Sequence, residues 1–230
     1  MASVTRSIAS SQQLEQLDTP VMPGNNKERK PRRRVVDYDE DDFFFAGDGR
    51  RRPAKYDVFI NHRGLDTKRT VARLLYDRLD ELSIRSFLDN QSMRPGDHLE
   101  HSIFGAVRDC SVAVAIFSKH YCDSDYCLRE LAMLVDERKA IIPVFYDIEP
   151  ADLVLPQELI DSKEYTPRDI ERFRFALREA RRTAGIGLTY DFTAGDMAEL
   201  VSATANAVME RIQEMQQTAQ QQQHMIISRL

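Results

Sequence analysis

Beginning at Lys55, apolar residues along this chain fall into short β-rich runs that alternate with amphipathic stretches. Strands are predicted over residues 56–61 (YDVFIN), 84–89 (IRSFLD), 112–117 (VAVAIF) and 140–148 (AIIPVFYDI). VAVAIF is apolar at every position, the pattern of a strand buried on both faces of a parallel sheet. After the loop HRGLDT, a helix over about residues 67–82 puts Val71, Leu74, Leu75, Leu79 and Leu82 on one face, with Asp66 or Thr67 as its cap. The loop over residues 90–98 (NQSMRPGDH), broken by Pro95 and Gly96, leads into a helix carrying Leu99, Ile103, Ala106 and Val107. Another helix aligns Ile170, Phe173, Leu177 and Ala180 and closes at Gly185. A last one runs over about residues 197–215 and dissolves into QQTAQQQQH. Pro143 marks the fourth strand as an edge or an irregularity. Strands alternating with helices predict an α/β fold, a doubly wound parallel sheet of four to five strands with helices on both faces.

The flanks read differently. Residues 1–53 combine a basic run (KERKPRRR, 27–34), an acidic run (DYDEDD, 37–42) and Phe43, Phe44 and Phe45, with no apolar period to build a core. They are expected to form a disordered arm, followed by one domain over residues 54–215 and a Gln-rich tail over 216–230. The basic run is either a nuclear-import or electrostatic contact or a solvated tail. With 42% hydrophobic residues the chain can build one sizeable core, and a net charge of −5 gives no global drive toward nucleic acid or an anionic membrane. It lacks a membrane-length apolar run and a secretory h-region, so a cytoplasmic protein is expected, with the nucleus open to it through the basic run. Cys110, Cys122 and Cys127, an odd count, read as free thiols; His120, Cys122 and Cys127 lack a second ligand pair at zinc spacing, so no metal is expected.

The candidate for chemistry is Glu130, on an amphipathic segment directly after VAVAIF. In open α/β sheets ligands bind beyond the carboxyl ends of the strands, so a carboxylate there has a reason to be present. Pattern alone favours the plainer reading, a solvated helix charge beside Arg129.

The blocks YDVFINHRGLDT, SFLDN, HLEHSIFGAVRDCSVAVAIFSKHYCDSDYCLRELAML and IIPVFYDIEP resemble, in order and spacing, the Toll/interleukin-1 receptor (TIR) domain of plant immune proteins. The resemblance covers about residues 55–213 and implies the flavodoxin-like TIR fold. With no switch domain or leucine-rich repeats following, it also implies a TIR-only protein. It further implies an NAD+ nucleosidase that cleaves the nicotinamide–ribose bond, with NAD+ as substrate and no cofactor. NADP+ and ATP are the other candidate substrates. The family's Trp-Cys-Leu-x-Glu-Leu motif appears as residues 126–131 (YCLREL), with Tyr126 for Trp, making Glu130 the catalytic residue. A single carboxylate suffices, because nicotinamide is already cationic in NAD+ and leaves neutral. The family's Phe-Arg-Gly-x-Asp-Thr loop appears as residues 62–67 (HRGLDT), which by resemblance lines the nucleotide cleft with Arg63, Gly64 and Asp66. Arg63 either contacts phosphate or fixes the loop by an ion pair. Gly64 serves the turn, and Ser118, Tyr121, Tyr126 and Cys127 border the substrate or pack the core.

The loop with Asn90, Arg94, Pro95, Gly96 and Asp97 matches the family's BB loop, which packs beside a neighbouring protomer and makes activity depend on homo-oligomeric TIR–TIR contacts, or contacts with other TIR proteins. Where many plant members have Ser-His on the first helix for a symmetric contact, this chain has Arg73-Leu74. The implied role is plant innate immune signalling and cell death. Two rival functions are a non-enzymatic TIR–TIR adaptor and a nucleic-acid-dependent cyclic nucleotide synthetase using the basic run.

Overall fold

The computed structural model describes residues 54–92, 99–183, 188–190 and 197–227. Its elements run β1 (Val58–His62), α1 (Gly64–Thr67), α2 (Val71–Glu81), β2 (Ser86–Phe87), α3 (Asp89–Ser92), α4 (Leu99–Asp109), β3 (Val112–Phe117), α5 (Asp125–Asp136), β4 (Ala140–Tyr146), α6 (Gln157–Ile160), α7 (Pro167–Arg182), β5 (Leu188–Tyr190) and α8 (Met197–Ile227). The strands form one parallel sheet in the order β2-β1-β3-β4-β5. The winding direction reverses between β1 and β3, so the carboxyl ends of those two strands border the crevice where such sheets bind ligands.

Alternate side chains along each strand feed two layers. Val58, Ile60, Val112, Val114, Ile116 and Val144 pack against α2 and α8 through Leu75, Leu79, Val201, Ala205 and Val208. Phe59 and Ala113 face α4, while Ala115, Phe117 and Phe145 face Leu128, Leu131, Phe173 and Leu177 of α5 and α7. The predicted VAVAIF strand forms at the expected residues and is buried throughout.

Other boundaries differ from the expectation for identifiable reasons. The helix predicted over residues 67–82 begins only at Val71, after the separate short α1, and neither Asp66 nor Thr67 caps α2, which follows Thr70 without a side-chain cap. Thr67 instead donates to the Arg63 carbonyl at 3.1 Å, and Asp66 is engaged by Arg63 and Ser118. β2 is short because the chain turns into α3 at Asp89, which also places Asn90 in a helical turn and not in a loop. β4 stops at Tyr146, where Asp147 takes a left-handed φ of 56°. Pro143 does not put β4 at the edge. It registers with Ala115 of β3, and β5 pairing begins only at Val144, so the missing N–H falls where no second strand pairs. Gly185, Arg94, Pro95, Gly96 and Asp97 lie outside the described residues. α7 is capped instead by Thr166 and Asp169 at its start and by Thr183 at its end. The segment after residue 215 continues α8 to Ile227, in keeping with the helix propensity of Gln and Ala.

Candidate active site

Glu130 projects from the second turn of α5, whose N-cap Ser124 accepts the Cys127 N–H at 3.4 Å. Its carboxylate meets the end of β1, where Asn61 Nδ2 donates to Oε2 at 2.8 Å. Asn61 is fully buried and also donates to the Cys127 carbonyl at 3.3 Å. The Tyr121 hydroxyl, equally buried, donates to Asn61 Oδ1 and lies 3.1 Å from the same carbonyl. Among the described residues no Lys, Arg or His forms an ion pair with Glu130. Desolvation pushes its pKa up to about 7; the Asn61 donor works against that rise and the nearby Asp89 charge adds to it. Part of the Glu130 surface stays open, so this is a poorly hydrated carboxylate with an approach from outside.

A second cluster adjoins it. Burial favours the neutral form of Asp66, but donation from Ser118 Oγ at 2.6 Å, from Arg63 Nη1 at 2.6 Å and from the His120 N–H outweighs it and holds the carboxyl below its ordinary range. Cys127 Sγ lies 3.3 Å from the His62 carbonyl and so ties α5 to the end of β1. Burial is the main influence on Cys127, Cys122, Tyr121 and His62: it pushes both thiols up to about 12, drives the phenol well above its ordinary value and lowers the imidazole. All four are neutral near pH 7.

The carboxyl-end edge of the sheet, one half-buried carboxylate and the blocks YDVFINHRGLDT and YCLREL coincide in space. The model of the TIR domain family matches residues 55–227. The chain belongs to the TIR domain family.

Among TIR relatives, the chain is 63% identical over 197 residues to the probable 2′ cyclic ADP-D-ribose synthase BdTIR of Brachypodium distachyon, covering 86% of this chain and 85% of that one. It is 30% identical over 142 residues to TMV resistance protein N of Nicotiana glutinosa, spanning 56% of this chain but only 12% of that protein. The TIR domains of the activated Roq1 resistosome superpose with a TM-score of 0.58 at 26% identity, covering 66% of this chain and 99% of that one.

At the candidate site, Glu130, Tyr121 and Cys127 converge on Asn61, while Arg63 and Ser118 each bond to Asp66. Of the two alternatives for Arg63, the structure shows the ion pair. Gly64 begins α1 with a φ outside the left-handed region, and a Cβ there would meet nothing within 4 Å, so the turn does not require glycine. Tyr126 is half-buried on the first turn of α5. On α2, Arg73 Nε reaches both Asp77 oxygens at 2.8 and 2.9 Å, and Leu74 stands 46% exposed beside it.

Asn61 was not among the predicted site residues. The signal was a polar residue closing the buried run Val58–Asn61, which periodicity cannot tell from a strand end. Asp89 was likewise read only as the end of a strand. Two cavities, of about 280 Å³ beside α7 and about 180 Å³ beside Lys55 and Asp109, lie elsewhere, and neither touches Glu130. Among the described residues no group of three His, Cys, Asp or Glu is placed to hold a metal, and no helix is long and apolar enough to cross a membrane.

Proposed function

We propose that this TIR protein is an NAD+ nucleosidase whose catalytic carboxylate is Glu130. The observation that carries the reading is a half-buried, poorly hydrated carboxylate with a hydrogen-bond donor and, among the described residues, no cationic partner, at the carboxyl-end edge of the sheet, a site prepared for positive charge brought by a ligand. The ribose carbon next to nicotinamide acquires that charge as the C–N bond breaks, and Glu130 stabilises it across a short, poorly hydrated distance. The bonding pair leaves with nicotinamide, which departs neutral and needs no general acid. A water or a hydroxyl of the same nucleotide then bonds to the ribose carbon and gives up its proton. Water yields ADP-ribose. An internal hydroxyl yields a cyclic ADP-ribose, the outcome favoured here by likeness to a probable 2′ cyclic ADP-D-ribose synthase.

The active form is an assembly of copies through TIR–TIR contacts, and its products serve plant immune signalling and cell death. The resistance-protein relatives support the immune role, and the resistosome TIR domains support the assembly. Concentrated or crowded protein incubated with NAD+ should release nicotinamide, and Glu130→Ala should not. Equal release from both, or none from the wild type under assembling conditions, overturns the reading.

A further inference from the structure

We propose that Asn61 is a positioning residue that holds one oxygen of Glu130 and leaves the other for the substrate, and that Tyr121 sets the orientation in which Asn61 does so. This rests on the reading of Glu130 as the nucleosidase carboxylate.

An asparagine side chain has a donating and an accepting end, and only one orientation fits its surroundings. Two acceptors lie on one side, Glu130 Oε2 at 2.8 Å and the Cys127 carbonyl at 3.3 Å, and both require the NH2 group. On the other side the Tyr121 hydroxyl is a donor aimed at Oδ1. With Glu130 ionised, turning the amide over would point Oδ1 at a carboxylate and a carbonyl, three oxygens with no proton among them. Asn61 and Tyr121 are both fully buried, so no solvent molecule can take either role.

The consequence for Glu130 is directional. An N–H donor favours the ionised carboxylate against the burial that opposes it. It also engages Oε2 alone, and among the described residues Oε1 has no hydrogen-bond partner. Because Asn61 sits on β1, a strand inside the sheet, the carboxylate is tied to the sheet and not to its own helix alone. The titratable groups that interact with Glu130 are Asp89 on α3, Tyr121 in the turn after β3 and Cys127 on α5. Burial keeps the Tyr121 phenol and the Cys127 thiol neutral, and the Asp89 charge disfavours ionisation of Glu130. The burden of keeping the carboxylate available therefore falls on Asn61.

The test follows the Glu130 carboxyl by carbon NMR in protein labelled at glutamate Cδ, the signal being assigned by its loss in Glu130→Gln. Nicotinamide release is measured in parallel across pH. Asn61→Leu removes the donor and Asn61→Asp keeps the shape while reversing its chemistry. Either should raise the Glu130 titration midpoint by about 1 to 2 pH units, the worth of a hydrogen bond to a charged group. Tyr121→Phe removes one oxygen, keeps the packing and should raise the midpoint by a smaller amount. In all three, kcat should fall more than KM rises. An unmoved midpoint in Tyr121→Phe and in whichever Asn61 variant folds overturns the inference, even if release falls. A raised midpoint in a protein that never releases nicotinamide sustains the role of Asn61 and instead sinks the nucleosidase reading.

Discussion

Ser118, the residue after β3, donates its hydroxyl to Asp66 Oδ2 at 2.6 Å and so fastens the end of the central strand to the segment that follows β1. Arg63 closes the same arrangement from the other carboxylate oxygen. Ser118→Ala should cost about 1–2 kcal/mol in urea unfolding, because it strips a donor from a partly buried carboxylate. The effect has a pH signature. The folded-state pKa of Asp66 lies below its ordinary 3.8, so this stabilisation is fully present above that value and is lost as pH falls through the folded pKa. The gap between wild type and Asp66→Asn should therefore close in acid, and a gap of constant size down to pH 2 would contradict the pairing.

Glu130 behaves in the opposite sense. Its pKa rises from 4.5 to about 7 on folding, so ionisation penalises the folded state fully above pH 7 and not at all below 4.5. Glu130→Gln keeps the shape and can still accept from Asn61, so it should stabilise the protein by up to about 3 kcal/mol at pH 8, with no gain at pH 4. Thermal unfolding at the two pH values measures this. The same variant should lose at least about 100-fold in nicotinamide release, the loss typical of removing one charge-stabilising group. Greater stability with lost activity is the mark of a group kept for function.

The ionised carboxylate is the form that stabilises a developing cation, so kcat/KM for NAD+ should rise with pH along a limb centred at about 7, the value for the unliganded site. Bound substrate brings positive charge and should displace the corresponding limb of kcat to lower pH. A flat profile between pH 5 and 8 would mean that Glu130 is not the titrating group.

How much of this site sequence reading can reach depends on what each residue type advertises. VAVAIF shows its double burial at every position, and Glu130 follows it within a motif, so strand and carboxylate were both found. Asn61 and Asp89 were missed because their roles exist only across the fold, 69 residues apart in the case of Asn61 and Glu130. The break between α1 and α2 was hidden for a related reason. Asp66 and Thr67 look like caps locally, and only the approach of Ser118 and the buried setting of Thr67 commit them elsewhere. Pro143 signalled an irregular strand, whereas the register of β5 removes the conflict without placing β4 at an edge.

The same separation of local and tertiary preference bears on α8. Its packing on the core ends near Ile212, and every residue from Gln213 to Ile227 is exposed. Gln and Ala keep the helix going on intrinsic propensity, which is worth little in water for so short an unpacked stretch. Deleting residues 216–230 should therefore leave the unfolding midpoint within about 0.5 kcal/mol of wild type while reducing far-ultraviolet ellipticity. Truncation before Val208, which is fully buried in the core layer that α8 shares with α2 and the sheet, should unfold the domain. If the shorter deletion lowers the midpoint by several degrees, or lowers it only at high protein concentration, the exposed Met225, Ile226 and Ile227 have a packing partner in solution that an isolated chain does not provide.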